Sequence, residues 1–155
     1  MREHLYKAYK RRYGLIFDIG IETGLRISNI VSLPWSIAFE SPWVIREVKT
    51  DKQRVIYPSP GLLQAIQKSE SEALERRWLF ESIRDKNKHV SRIQVYRVFN
   101  NASKALGLPP VATHSLRKTF AVRYFEAHRD LLRLQEILNH KYLSTTLLYV
   151  FGHLA

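Results

Sequence analysis

The stretch Thr113–Val150, THSLRKTFAVRYFEAHRDLLRLQEILNHKYLSTTLLYV, is the one on which the reading of this chain turns. It opens with His114 and Arg117, three residues apart, and closes with His140 and Tyr149, nine apart. Residues three apart share a helix face, so His114 and Arg117 can address one target. A guanidinium and an imidazole converging on one spot suit a phosphate. A tyrosine downstream is a candidate for the group that attacks it.

The same stretch resembles the C-terminal signature of the tyrosine recombinases, the lambda-type phage integrases and their relatives. That signature runs H-x-L-R-H-T-F-A, then L-G-H-x-x-x-x-T-T-x-x-Y. Here the first part stands as His114-Ser115-Leu116-Arg117-Lys118-Thr119-Phe120-Ala121. The second stands as Leu138-Asn139-His140, followed by Ser144-Thr145-Thr146-Leu147-Leu148-Tyr149. Far upstream, Thr23-Gly24-Leu25-Arg26-Ile27-Ser28 resembles the family's other arginine box. A further family pattern, K-x-x-K-x-R, is matched by Lys49-Thr50-Asp51-Lys52-Gln53-Arg54.

Composition agrees with a DNA-directed protein. The 155 residues suffice for one domain with its own core. Lys and Arg number 25 against 14 Asp and Glu, a net charge of +11, which favours a polyanionic partner over a neutral one. Cysteine is absent, which removes disulfides and thiolate metal sites and fits a reducing cytoplasm. No apolar run is long enough to span a bilayer, and no secretory signal is visible at the N-terminus. Neither a metal-ligand spacing such as H-E-x-x-H nor a Gly-rich nucleotide loop is present, so no cofactor is expected.

Along the chain, Leu5, Tyr9, Tyr13, Ile16, Phe17 and Ile21 recur at helical spacing and predict one helix from Glu3 to Glu22. Gly24 ends it, and a short helix over Leu25–Leu33 follows, stopped by Pro34, with Arg26 in its first turn. Ser36–Phe39, Trp43–Val48 and Arg54–Tyr57 are rich in β-branched and aromatic residues and predict strands, with a turn at residues 50–53. Gly61–Lys68 reads as a helix. Trp78, Leu79 and Phe80 read as a core anchor within an ambiguous charged stretch, which runs on into a basic loop at residues 85–89. Ser91 caps a helix from Arg92 to Leu106, with Ile93, Val95, Tyr96, Phe99, Ala102 and Leu106 inward and Gly107 as its stop. Thr113, Asp130 and Ser144 are the expected caps of three final helices, His114–His128, Leu131–Asn139 and the one that carries Tyr149. The fold class is therefore α+β, mostly helical, with a small antiparallel sheet; the resemblance narrows it to the integrase catalytic-domain fold.

What the resemblance implies is specific. Arg26, Lys49, His114, Arg117, His140 and Tyr149 take the family's catalytic positions, and Lys52, Arg54 and Lys118 become DNA-binding candidates. Tyr149 attacks a DNA phosphodiester and forms a 3′-phosphotyrosine link. Arg26 and Arg117 clamp the phosphate oxygens, His140 donates a further hydrogen bond, His114 handles the tyrosine proton and Lys49 protonates the leaving 5′-oxygen. Taken singly, each residue has a plainer reading: a surface ion pair for Arg26, a solubilising hairpin-tip lysine for Lys49, a cap residue for His114, a packed aromatic for Tyr149.

The resemblance further implies double-stranded DNA as partner, a homo-oligomer assembled on it, no membrane, no metal, no nucleotide cofactor, and a cytoplasmic, nucleoid-associated location. Two alternatives share the same residues: a DNA-binding module without turnover, and strand relaxation of the type IB topoisomerase kind. On the same resemblance residues 1–155 are expected to be the catalytic domain, with the family's N-terminal DNA-gripping domain absent from this chain. Three positions depart from the pattern. Asn29 stands where an acidic residue usually supports the first arginine, Lys118 where a histidine follows the second, and Asn139 where a glycine precedes His140.

Overall fold

The computed structural model describes residues 1–69, 76–112 and 114–152. The single helix expected over Glu3–Glu22 is two, α1 (Arg2–Ala8) and α2 (Arg11–Thr23). Tyr9 and Lys10 are extended between them. The break lets α1 fold back on α2, so that Leu5, Tyr13, Ile16 and Ile19 all reach one core. Asp18 ties the two helices, accepting from Arg2 Nε at 2.6 Å and from the Tyr6 hydroxyl at 2.8 Å.

Gly24 closes α2 in the left-handed region, at φ +66°. The next helix, α3, spans only Ile27–Val31, so Arg26 is its N-cap residue, with extended backbone, rather than part of its first turn. Residues 36–39, expected as a strand, lie in a 3-10 helix (Trp35–Phe39). There Trp35 and Phe39 stack edge to face at 5.6 Å while Ile37 and Ala38 are buried, so packing overrides the β-rich composition.

The expected hairpin is present as β1 (Trp43–Arg46) and β2 (Gln53–Ile56), antiparallel, with Trp43 opposite Ile56 and Ile45 opposite Arg54. Alternation sends Trp43, Ile45, Arg54 and Ile56 inward and Val44 and Val55 outward. Beyond β1 the ladder continues through Glu47, whose N–H donates to the Lys52 carbonyl at 2.9 Å.

Helix α4 (Pro60–Ser69) covers the 3-10 segment. Of the expected anchor, Leu79 and Phe80 are buried and Trp78 stays half-exposed. Ser91 caps α5 (Arg92–Ala105), accepting from the Gln94 N–H at 3.1 Å. Val95, Phe99 and Ala102 form its buried stripe; Ile93 and Leu106, expected inward, are exposed. Ile93 lies off the stripe by helical geometry, and Leu106 falls past the last turn.

Three helices complete the chain: α6 (Ser115–His128), α7 (Leu131–Ile137) and α8 (Leu143–Phe151). Thr113, the expected cap of α6, lies outside the described residues, and His114 occupies the N-cap position. Asp130 caps α7 as expected, accepting from the Arg133 N–H at 2.9 Å. Ser144 does not cap α8: the helix starts one residue earlier, and Tyr142 holds the cap position with no side-chain bond.

α2 is the central element, packed against α1, α3, α4 and α6. The main core spreads around it. A smaller core of Ala121, Leu134, Leu138 and Val150 joins α6, α7 and α8, with Tyr149 packed on its edge. Among the described residues no helix is long and apolar enough to cross a membrane.

Candidate active site

The three sequence boxes meet where α6 crosses the end of α2. One cleft of about 640 Å³ is lined by Arg26, Lys49, His114, Lys118, His140 and Tyr149, among others. Arg26 comes from the loop after α2, Lys49 from the hairpin tip, His114 and Lys118 from the start of α6, His140 from the α7–α8 turn, and Tyr149 from α8. Arg117 is not on the wall. It is 2% exposed and lies beneath.

Tyr149 is held between rings. The His140 imidazole meets it edge-on at 4.7 Å between centroids, the His114 imidazole at 5.8 Å, and Lys118 Nζ stands 5.9 Å from its ring centre. An ammonium at that range is attracted by the ring face. The phenol ring is therefore partly buried against the small core and flanked by two imidazoles and one ammonium, within the same chain that supplies the arginines.

His140 owes its position to local structure. Asn139 has φ +50°, a conformation that asparagine tolerates better than most residues. This accounts for asparagine at a position where glycine is usual. The bend turns His140 toward α8, where Nδ1 lies 3.0 Å from the Thr146 hydroxyl oxygen. Thr146 is fully buried. Burial, together with the charges of Arg117 and Arg26, pushes the His140 imidazole down to about 4. His114 is lowered by the same kind of causes, burial first, then Arg117, Arg26 and Lys49. Both rings are neutral near pH 7.

Under the cleft floor sits a charge cluster that the sequence did not disclose. The Glu47 carboxylate is fully buried and pairs with Arg26 through Oε2 and with Arg54 through Oε1 at 3.4 Å. Arg117 Nη1 stands 3.9 Å from the same Oε1. Burial alone would raise the Glu47 carboxyl; the three guanidinium groups outweigh it and hold it below its ordinary range. Arg117 also donates to the Gly24 carbonyl at 2.7 Å and to the Leu138 carbonyl. Burial and the nearby Arg26 charge bring Arg117 down to about 10, which leaves it cationic at neutral pH. Three arginines against one carboxylate leave an excess of positive charge at and beneath the cleft, with Arg26 on its wall and Arg54 and Arg117 buried.

Two expectations change here. Arg54, read as a DNA-contacting residue, is 7% exposed and faces inward, bonded to Glu47 and to the Thr23 carbonyl at 2.8 Å. It is opposite Ile45 in the hairpin, so its side chain shares the buried face. Lys52 and Lys118, by contrast, are exposed. The absence of a carboxylate at Asn29 is made good by Glu47. Asn29 is itself buried and accepts from the Val48 N–H at 3.1 Å, steadying the strand end that carries Glu47. A signal for Glu47 was present: it continues the inward alternation Trp43, Ile45, Glu47.

A mostly helical domain with a basic, phenol-bearing cleft over a buried arginine cluster defines a DNA-directed protein of the integrase class. The chain belongs to the phage integrase family, which it matches over residues 2–152. It is 36% identical over 151 residues to the probable integrase/recombinase YoeC of Bacillus subtilis (strain 168), covering 97% of this chain and 82% of that protein. The crystal structure of XerA recombinase superposes with a TM-score of 0.79 at 25% identity, over 96% of this chain and 56% of that one. A lambda integrase dimer bound to a core site shares the fold, with a TM-score of 0.75 at 22% identity, over 96% of this chain and 55% of that one. The chain thus spans most of YoeC and a little over half of the two solved recombinases.

Proposed function

We propose that this chain is the catalytic domain of a site-specific DNA recombinase that cuts and rejoins strands through a 3′-phosphotyrosine on Tyr149. The observation that supports this best is the single cleft in which Tyr149, Arg26, Lys49, His114 and His140 face one another. A scissile phosphate fits there on charge grounds, because three arginines share the single Glu47 carboxylate.

The proposed step follows from that geometry. The Tyr149 oxygen bonds to phosphorus as the bond to the 5′-oxygen breaks. Neutral His114 accepts the phenol proton. Lys49, exposed at the hairpin tip on the cleft wall, delivers a proton to the departing 5′-oxygen. Arg26 meets the non-bridging oxygens, and Arg117 stabilises the growing charge from below. A neutral His140 that accepts the Thr146 hydroxyl at Nδ1 turns its Nε2–H into the cleft as a further donor. The new ester conserves the bond energy, so the reverse attack by a 5′-hydroxyl reseals the strand.

In this reading residues 1–155 are the catalytic unit, double-stranded DNA in the cytoplasm is the substrate, and several copies act together on one site. Lys52 and Lys118 contact its backbone. The test is a suicide substrate nicked near the cleavage site. A covalent protein–DNA adduct that disappears in Tyr149→Phe is expected; no adduct, or one that survives the substitution, ends the proposal. Relaxation of supercoiled plasmid without strand exchange would move the activity to the topoisomerase kind, and salt-sensitive binding with neither would mark a module without turnover.

A further inference from the structure

Glu47 does more than balance charge. Its two carboxylate oxygens reach Arg26, Arg54 and Arg117, all from other parts of the chain or the opposite strand. The Thr50 hydroxyl donates to Oε2 at 3.2 Å. The Glu47 backbone pins the loop that follows: its N–H donates to the Lys52 carbonyl and its carbonyl accepts from the Asp51 N–H, both at 2.9 Å. Lys49 is two residues from this carboxylate and sits in the loop so pinned.

We infer that Glu47 is a positioning residue that sets the phosphate-binding arginine and the hairpin lysine in one frame, so that the length of its side chain governs proton delivery to the leaving oxygen. The inference rests on the function proposed above. The physical reason is the location of the charge. A fully buried carboxylate with three guanidinium partners cannot drift without leaving cations unpaired, so it acts as a fixed point. The lysine loop is exposed; Asn29 accepts from the Val48 N–H at its start and Arg46 pairs with Asp51 on its outside, while its ties to the charge cluster run through Thr50 and the backbone of residue 47. Moving the fixed point by one methylene moves Lys49 relative to Arg26, and misplacement of about 1 Å costs on the order of a hundredfold in rate.

The test uses two versions of one suicide DNA, with oxygen or with sulfur at the 5′-bridging position. A thiolate leaves without a proton, so sulfur removes the need for the lysine. Single-turnover cleavage is measured for wild type, Glu47→Asp, Thr50→Val and Lys49→Ala. Glu47→Asp keeps the charge and is expected to cleave the oxygen substrate about a hundredfold more slowly, with DNA affinity within a few-fold of wild type. On the sulfur substrate it should recover most of that loss, as Lys49→Ala does. Thr50→Val leaves the buried cluster intact, so it folds even if the aspartate variant does not, and should show a smaller effect of the same kind. Oxygen-substrate rates equal to wild type in both variants would overturn the inference. So would a defect that sulfur leaves unchanged, which indicates damage to the fold or to the arginines alone. Failure of the wild type to form any adduct would instead defeat the proposed function.

Discussion

Gly24 joins the fold to the site, and its replacement can be worked out in advance. It ends α2 at φ +66°, and a Cβ built there would lie 2.4 Å from Phe120 Cδ1 on α6. Two costs add in Gly24→Ala: about 1–2 kcal/mol for an L-residue held left-handed, and about 1–3 kcal/mol for overpacking against the ring. Gly107 is the internal control. It has nearly the same φ, +64°, with nothing within 4 Å of its Cβ position, so Gly107→Ala should carry the first cost alone. At roughly 2–4 °C per kcal/mol for a chain of this size, Gly24→Ala lowers the melting midpoint by roughly 4–20 °C and Gly107→Ala by roughly 2–8 °C. Circular dichroism melts of the two variants give the comparison. A second substitution, Phe120→Ala, should cost less in the Gly24→Ala background than in wild type, because the overlap is already relieved. DNA cleavage should fall further than folding in Gly24→Ala, since the Gly24 carbonyl receives Arg117. Equal melting of the two glycine variants, or additive behaviour with Phe120→Ala, would refute the packing argument.

Other outcomes follow from the site. An imidazole lowered from its ordinary 6.5 to about 4 favours the fold when neutral; His140 therefore contributes fully above about pH 6.5 and loses that contribution as pH falls toward 4. Melting midpoints should drop across that window, less steeply in His140→Gln, and identical slopes would contradict the assignment. Arg54→Ala removes a partner from a buried ion cluster and should destabilise by about 3–5 kcal/mol in denaturant titrations. Lys52→Ala should leave stability within about 0.5 kcal/mol while lowering the salt slope of DNA binding by about 1; the reverse ranking would sink the burial argument. Asn139→Gly should stay within about 1 kcal/mol of wild type, because glycine accepts the bend, whereas Asn139→Ala should cost about 1–2 kcal/mol.

Much of the molecule was legible from spacing. The stripe Val95, Phe99, Ala102 on α5, the cap Ser91, the hairpin and the stops at Gly24 and Gly107 are local features, each set by residues within a turn or two of one another. The readings that moved are those in which distant contacts override local preference. Residues 36–39 carry β-rich side chains yet coil into a 3-10 helix, because Ile37 and Ala38 are drawn into the core beneath α4. The first helix breaks at Tyr9 and Lys10, and α1 packs back on α2, a long-range contact that helical spacing alone does not reveal.

Which residue types the site would use was written in the chain itself: an arginine after Gly24, His114 and Arg117 at the start of one helix, His140 and Tyr149 around another. Helical periodicity and motif order carry that information over short separations. What only tertiary structure decided is their electrostatic setting. The bond from Arg117 to the Gly24 carbonyl spans 93 residues, and the one from Arg54 to the Thr23 carbonyl spans 31. No local rule connects residues so far apart. Folding alone brings Glu47 beneath three arginines, turns Arg54 from a surface contact into a buried support, and sets the Tyr149 ring between two neutral imidazoles.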